Sequence, residues 1–185
     1  MKIIVMTTFA VCLSSVCAGQ DEVPFPPAPS SVSSVATIVE KGEPGEPLII
    51  TGRVFQSDKT TPYAGLVLFF YQTDATGVYN KTDGYYGRPR LRGWVKTDEH
   101  GNYEIRTIKP GSYPRRKEAA HIHVTVKLPG SPAKWLESFL FNEDPHLIET
   151  ERKNSAKLGR FSHVLVTTGT KTGILTASRD FLMEE

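Results

Sequence analysis

Residues 65–72 read GLVLFFYQ, a continuous apolar run, which is typical of a strand that is buried on both of its faces. Residues 121–128 read HIHVTVKL, and there apolar and polar side chains alternate strictly. Because successive side chains of a strand point to opposite faces, the apolar residues are predicted to lie on one face and His121 and His123 on the other. These two segments indicate a fold built from β-strands.

Further segments with strand-like patterns lie on both sides of these two. Strands are predicted at residues 48–55, 103–108, 135–141, 161–168 and 173–177, with turns at 57–59 and 98–101. No segment has a sustained helical period, and residues 145–158 are the best place for a short helix. Seven or eight short strands separated by turns predict an all-β antiparallel sandwich with long loops.

The composition is that of one globular domain. The chain has 185 residues, of which 39% are hydrophobic and 23% charged, and this balance is typical of a folded protein rather than a disordered one. The formal net charge of +2 is too small to favour nucleic acid or an anionic membrane as a partner. We therefore expect no nucleic-acid partner.

The N-terminus has the pattern of an export signal. Lys2 supplies a positive charge, residues 3–16 are mostly apolar, and Val16-Cys17-Ala18 has the small residues of a cleavage site. Residues 1–19 are therefore predicted to be a signal peptide. The apolar run is too short to remain as a membrane anchor, so the mature protein is expected to have no membrane span and to reach the periplasm or the extracellular space.

Removal of the signal peptide would also remove both cysteines of the chain. Cys12 and Cys17 precede the predicted cleavage after Ala18 or Gly19, and a mature protein without cysteine has neither disulfides nor thiolate metal ligands. A lipoprotein with a lipid on Cys17 is a weaker alternative, because Val16 is bulkier than the residue that usually precedes such a cysteine.

Residues 20–47 separate the predicted signal peptide from the predicted sandwich, and they are rich in proline and serine. Four prolines fall between positions 24 and 29, which favours extended backbone. The segment is expected to be either a flexible linker or an arm that packs over the domain, and its composition does not decide between them. The domain itself is predicted to comprise residues 48–185.

His121 and His123 form the first candidate metal-binding pair. Two residues apart on one strand, their Cα atoms lie about 6.5 Å apart on the same face, so both imidazoles can bind one ion. An isolated His-x-His pair is nevertheless more often a surface or hydrogen-bonded pair. Copper or zinc held by these two histidines is one alternative. His100, His146 and His163 have no supporting motif and are expected at the surface.

Two tyrosines lie in turn-rich segments before these histidines. Tyr79 follows Asp-Ala-Thr-Gly-Val at positions 74–78, and Tyr113 lies in Lys-Pro-Gly-Ser-Tyr-Pro at positions 109–114. Tyrosines in such loops usually pack against the protein with the hydroxyl left in water. Spacing and composition alone therefore do not select Tyr79 and Tyr113 as metal ligands.

A series of motifs between residues 45 and 128 resembles the catalytic core of the intradiol ring-cleavage dioxygenases, the family of the protocatechuate 3,4-dioxygenases and catechol 1,2-dioxygenases. The motifs are, in order, ITGRVF, YQTDATGVYN, RLRGWVKTDEHGNYEIRTIKPGSYP and AAHIHVTV. The resemblance implies that Tyr79 and Tyr113 are the two tyrosine ligands of a ferric ion, Fe(3+), and that His121 and His123 are its two histidine ligands. It also implies that both tyrosines are catalytic, with a small aromatic diol and O2 as substrates.

This ligand set suits ferric iron. Fe(3+) is a hard Lewis acid that favours anionic oxygen donors, and metal coordination lowers the pKa of a tyrosine far below its free value of about 10. Two phenolates and one hydroxide would balance three positive charges, and neutral imidazoles would complete the shell. The reaction that the resemblance implies is cleavage of a catechol ring between its two hydroxylated carbons by O2, with a tyrosinate acting as a base.

The chain departs from the family pattern near the implied site. The family usually has an arginine three residues before the first histidine, whereas this chain has Glu118 there, directly after the basic residues 115–117. The family's glutamine on the next strand is missing, and Glu137 or Ser138 lies near its position. We also expect the helical N-terminal domain of the catechol 1,2-dioxygenases to be absent. The alternative is therefore a non-catalytic, transthyretin-like β-sandwich that binds iron and catecholate, carbohydrate or a protein partner. Either protein is compatible with a homo-oligomer.

Overall fold

The computed structural model describes residues 23–80 and 88–184, so the predicted signal peptide lies outside the described residues. The strands are β1 (Val35–Thr37), β2 (Pro47–Phe55), β3 (Val67–Gln72), β4 (Leu91–Lys96), β5 (Asn102–Ile108), β6 (His121–Lys127), β7 (Ala133–Phe141), β8 (Val164–Leu165), β9 (Thr168–Gly169), β10 (Leu175–Ser178) and β11 (Phe181–Leu182). Helix α1 (Glu149–Ala156) and a 3₁₀ turn (Gly159–Phe161) precede β8. Within the described ranges, no helix has the length and apolar character that crossing a membrane requires.

The strands form two sheets. Sheet I has the order β1-β5-β2-β10-β9, with β11 also paired to β2, and sheet II has the order β4-β3-β6-β7-β8. The long pairs β2/β5, β3/β4, β3/β6 and β6/β7 are antiparallel, whereas β1/β5, β2/β10, β2/β11 and β7/β8 are parallel. The predicted all-β sandwich is confirmed, with sheets that are partly parallel rather than wholly antiparallel.

The inward faces of the two sheets pack into one hydrophobic core. Ile50 and Ile105 of sheet I and Phe70, Ile122 and Phe139 of sheet II are all 0% exposed. The ring of Phe70 stacks on that of Phe139 at 5.9 Å and lies 6.1 Å from the ring of Tyr103 on β5, so aromatic contacts join the sheets directly. Full burial of each such side chain contributes about 1.5–3 kcal/mol to folding.

The N-terminal segment crosses the outer face of sheet II. The carbonyl of Pro24 accepts a hydrogen bond from Thr125 Oγ1 at 2.8 Å, and that of Pro26 accepts one from Trp94 Nε1 at 3.1 Å. Phe69 pairs with both Thr125 and Trp94 in the sheet register and is 2% exposed. Pro24 and Pro26 therefore lie against this row of side chains, and β1 joins the edge of sheet I.

Two sequence predictions are wrong. The single strand predicted at 161–168 is a 3₁₀ turn followed by β8 and β9, because β8 pairs with β7 of sheet II while β9 pairs with β10 of sheet I. His163 is not a surface histidine: it is 7% exposed. Its Nδ1 lies 3.2 Å from Ser155 Oγ and its Nε2 lies 2.5 Å from Glu151 Oε1, so it fastens α1 to β8.

Candidate metal centre

Four side chains converge on one point at the outer face of sheet II. Tyr79 Oη lies 2.6 Å from Tyr113 Oη, which lies 3.2 Å from His121 Nε2. His121 Nε2 is 3.1 Å from His123 Nε2, and His123 Nε2 is 2.9 Å from Tyr79 Oη, which closes a ring of four contacts. The structure thus brings together all four residues that the family resemblance implied as ligands.

The two histidines reach this point because they alternate with core residues at the start of β6. Opposite His123, the partner strand β7 has two residues, Glu137 and Ser138, where a regular ladder has one. This is a β-bulge, a feature that redirects side chains and is common beside active sites. Ser138 Oγ lies 3.5 Å from His123 Nδ1. Of the two residues near the family's glutamine position, Ser138 is therefore the one that faces the centre.

The loops that carry the two tyrosines interlock. Gly111 N donates a hydrogen bond to the carbonyl of Asp74 at 2.8 Å. A Cβ built on Gly77 would lie 1.9 Å from the carbonyl oxygen of Ser112, and one built on Gly111 would lie 2.5 Å from that of Ala75. Only glycine allows backbones to approach this closely. The contact sets the position of the Tyr79 loop relative to the Tyr113 loop.

The carboxylate of Asp74 organises the Tyr79 loop from within. Its Oδ1 accepts hydrogen bonds from the backbone N–H of Thr76 at 2.8 Å and of Val78 at 3.1 Å, and its Oδ2 accepts one from Asn80 Nδ2. Side chains of this kind stabilise turns by replacing backbone hydrogen bonds. Burial is the largest single influence and would raise the pKa of Asp74. Hydrogen bonds from the Thr76 hydroxyl and from the backbone N–H groups of Val78 and Thr76 outweigh it and hold this pKa below its usual value.

An aromatic wall surrounds His123. The ring of Tyr71 stacks on His123 at 4.5 Å between centroids, and the ring of Trp135 lies 5.5 Å away. Trp135 is 44% exposed, so part of the wall faces solvent beside the four donor atoms. The sequence did not identify Tyr71 or Trp135 as site residues. The signal for both is the register of β3, β6 and β7, in which Tyr71 pairs with His123 and Trp135 with Thr125.

The two histidines direct their Nε2 atoms at the centre. Burial, and secondarily the neighbouring His121, lowers the pKa of His123 from 6.5 to about 3. His121 Nδ1 lies 2.8 Å from the carbonyl of Ala119, and because a carbonyl only accepts, Nδ1 carries the proton and Nε2 presents a lone pair. His123 is thus available as a neutral ligand at neutral pH.

The tyrosines retain their protons unless a cation is present. Burial, followed by the hydrogen bond with Tyr113, raises the pKa of Tyr79 far above its usual value. Burial is also the main cause of the raised pKa of Tyr113. A cation at this point would reverse the effect, since it stabilises the phenolate form.

The donor set fits a metal ion. Donor atoms that bind one ion at about 2.1 Å and at right angles lie about 3 Å apart, close to the four observed separations of 2.6–3.2 Å. In the described part of the chain, no group of three or more His, Cys, Asp or Glu side chains could hold a metal. Within that part of the chain, the donors that lie beside the Nε2 atoms of His121 and His123 are the hydroxyls of Tyr113 and Tyr79.

The position of the family's arginine is occupied by an exposed ion pair. Arg116 Nη1 lies 4.0 Å from Glu118 Oε2, and the side chains are 73% and 50% exposed. The guanidinium of Arg116 is 5.7 Å from the centre of the Tyr113 ring. Glu118 contributes to the raised pKa of Tyr113, while Arg116 opposes it. A cation therefore does reach the edge of the centre, but it is accompanied by a carboxylate.

Comparison with known proteins places this chain among dioxygenases. The family model described as "Dioxygenase" (Dioxygenase_C) matches residues 25–168. The dioxygenase domain of a dioxygenase carbohydrate-binding protein fusion from Streptomyces sp. SirexAA-E is 26% identical, with a TM-score of 0.63 over 88% of this chain and 96% of that one.

Two more distant structures share the fold. 3-Chlorocatechol 1,2-dioxygenase from Rhodococcus opacus 1CP is 20% identical, with a TM-score of 0.63 over 89% of this chain and 71% of that one. An intradiol ring-cleavage dioxygenase from Tetranychus urticae is 20% identical, with a TM-score of 0.58 over 85% of this chain and 89% of that one. The extent of the family match and the shared fold confirm the resemblance seen in the sequence, and the chain belongs to the intradiol dioxygenase family.

Proposed function

We propose that this protein is an exported, non-haem Fe(3+) dioxygenase that cleaves a catechol-type ring between its two hydroxylated carbons with O2. The observation that carries the proposal is the closed ring of four donor atoms from Tyr79, Tyr113, His121 and His123, with separations of 2.6–3.2 Å. Export rests on the sequence of residues 1–19. The Streptomyces relative comes from a cellulolytic bacterium, and we extend the proposal to catechols from plant material.

The four side chains would hold the ion, which when bound supplies the Lewis acidity that activates a catecholate toward O2. The first contribution of the protein is the charge of its ligands. Loss of the two phenol protons of Tyr79 and Tyr113 supplies two negative charges, whereas His121 and His123 bind as neutral ligands. We assign the role of base to one of the two tyrosines, whose Oη would accept a proton from a hydroxyl of the incoming catechol.

The aromatic wall supports an aromatic substrate. Tyr71 and Trp135 flank His123, and Trp135 leaves 44% of its surface open to solvent. Contact between aromatic rings contributes about 0.5–1.5 kcal/mol beyond the burial of apolar area. A planar diol bound with its oxygens at the donor ring would be positioned to contact this wall, and the edge of the substrate away from the hydroxyls would face outward.

One observation favours a second candidate, a protein that binds iron and catecholate without cleaving the ring. Glu118 occupies the position of the family's arginine. Burial is the main cause of the raised pKa of Tyr79 and of Tyr113, and the negative charge of Glu118 adds to it. Negative charge at this place opposes the build-up of negative charge on an activated substrate. Arg116 lies beside Glu118 and beside Tyr113, and it is the cation that would take over the arginine's role.

The two candidates are separated by oxygen uptake. Iron-loaded protein is mixed with catechol in an oxygen electrode, and the ring-opened diacid is quantified in the same sample. The proposal expects one O2 consumed for each diacid formed, and it expects Tyr79→Phe to abolish this turnover. Tyr63→Phe is the matched control, because Tyr63 lies beyond the other end of β3, and it should keep full activity. Catechol binding without oxygen uptake would establish the second candidate instead.

A further inference from the structure

One peptide group connects a buried carboxylate to a proposed ligand. The carbonyl of Ala119 accepts a hydrogen bond from His121 Nδ1 at 2.8 Å. The N–H of Ala120, which belongs to the same peptide unit, donates to Asp144 Oδ2 at 2.9 Å. The two alanines are 9% and 3% exposed and Asp144 is 7% exposed. Carboxylate, peptide and imidazole thus form an uninterrupted hydrogen-bonded chain in a region that is shielded from water.

The same carboxylate also reaches the Tyr113 loop. Ser112 Oγ, one residue before Tyr113, donates to Asp144 Oδ2 at 3.3 Å, and His146 N donates to Oδ1 at 2.8 Å. Among the residues that the structure describes, no Lys, Arg or His side chain forms an ion pair with Asp144. Asp144 accepts its hydrogen bonds from neutral donors. Two of these donors, Ala120 N and Ser112 Oγ, belong to residues directly before the proposed ligands His121 and Tyr113.

We propose that Asp144 is a positioning residue for the metal centre, acting on His121 through the Ala119–Ala120 peptide and on Tyr113 through Ser112. The inference rests on the proposed function and adds a residue to it. A carboxylate that accepts from a peptide N–H polarises the carbonyl at the other end, and such chains strengthen each bond by about 10–30%. The stronger carbonyl acceptor keeps the proton of His121 on Nδ1 and the lone pair of Nε2 directed at the centre.

The hydrogen bond from His121 Nδ1 to a backbone carbonyl is of a kind that is common among metal-binding histidines. Histidines that bind metals usually donate their other N–H to a carboxylate or a carbonyl, and loss of that partner costs about 10–100-fold in metal affinity. Here the partner is a carbonyl whose own peptide is held by a carboxylate. The competing role for Asp144 is local, since its carbonyl and its Oδ1 also hold the turn at residues 144–147. If Asp144 only held this turn, its substitution would not change which nitrogen of the His121 ring carries the proton.

The test compares Asp144→Asn with Asp98→Asn. Asp98 is a matched control because its carboxylate also accepts backbone N–H groups, those of His100 and Asn102, in a turn outside the centre. Ferric affinity is measured by competition with a chelator. We expect affinity to fall about 10-fold or more in Asp144→Asn and to stay within about 2-fold of the wild-type value in Asp98→Asn. Equal affinities in the two variants would overturn the proposal.

A second measurement uses the metal-free protein, and its wild-type part needs no variant to fold. Nitrogen NMR shifts of the His121 ring identify which nitrogen carries the proton. The proposal expects Nδ1–H in the wild type, with a shift toward a mixture of tautomers in Asp144→Asn. A proton found on Nε2 in the wild type would overturn it. If the wild-type protein binds no iron, the proposed function fails, while comparison of the ring in the wild type and in Asp144→Asn still decides whether Asp144 orients His121.

Discussion

Gly77 lies at the contact between the two tyrosine loops, and Gly77→Ala tests how that contact builds the centre. The added Cβ would lie 1.9 Å from Ser112 O, whereas real Cβ contacts are essentially never under 3.0 Å. The loops must therefore separate by about 1 Å. Overpacking of this kind costs about 1–3 kcal/mol, and the left-handed backbone of Gly77, with φ of +81°, adds about 1–2 kcal/mol for alanine.

Gly130→Ala provides a matched control for the backbone effect. Gly130 has φ of +75°, yet a Cβ added there would meet nothing within 4 Å, so only the cost of the left-handed backbone applies. Urea unfolding should show a loss of about 1–2 kcal/mol for Gly130→Ala and about 2–5 kcal/mol for Gly77→Ala. The difference between the two variants isolates the clash with Ser112.

The same clash should weaken the metal centre. A shift of about 1 Å between the loops breaks the 2.6 Å contact of Tyr79 with Tyr113, and misplacement on that scale can reduce a site's performance about 100-fold. We expect iron affinity to fall by about 10–100-fold in Gly77→Ala and to be unchanged in Gly130→Ala. Equal stability and equal iron affinity in the two variants would refute the claim that loop interlock positions the tyrosines.

Three further predictions concern the ligands and the aromatic wall. Because Tyr79 and Tyr113 hold their protons at neutral pH, iron binding should release two protons, and apparent affinity should fall about 100-fold per unit decrease in pH when measured with a pH-independent competitor. Burial lowers the pKa of His123 to about 3 from 6.5, so the metal-free protein should lose stability as pH falls from 6.5 toward 3. This loss is about 2 kcal/mol at pH 5, and urea unfolding of His123→Gln should lack it. Trp135→Ala should raise the dissociation constant for catechol about 2–10-fold in an absorbance titration while leaving iron content unchanged; unchanged catechol binding would contradict the role given to the wall.

The sequence predicted best the strands in which apolar and polar side chains alternate, because such strands bury one face of the sheet. β6 (His121–Lys127) follows the strict alternation of residues 121–128 to within one residue. β4 (Leu91–Lys96) was not predicted, because Gly93 interrupts its pattern. A Cβ on Gly93 would lie 2.5 Å from Ile38 Cγ2. That glycine therefore makes room for a side chain from the N-terminal segment, a requirement that is invisible within the strand itself.

The four proposed ligands were found by motif resemblance, and local pattern alone could not have selected them. His121 and His123 share a strand face, which spacing does predict, but Tyr79 and Tyr113 come from loops that meet only through Gly77 and Gly111. Long-range contacts of this kind leave no periodic signal in the sequence. Tyr71, Trp135 and Asp144 are similarly accessible only once strand register and loop packing are known, since each acts through a neighbour distant in the chain.

The visible absorption spectrum of the iron-loaded protein tests the central claim most directly. The spectrum is recorded under nitrogen, again after addition of catechol, and finally after admission of air. The account predicts a tyrosinate-to-iron band that shifts when catechol binds and returns as O2 is consumed. A protein that remains colourless after reconstitution with Fe(3+) would contradict the centre formed by Tyr79, Tyr113, His121 and His123, and a band that shifts but never returns in air would contradict ring cleavage.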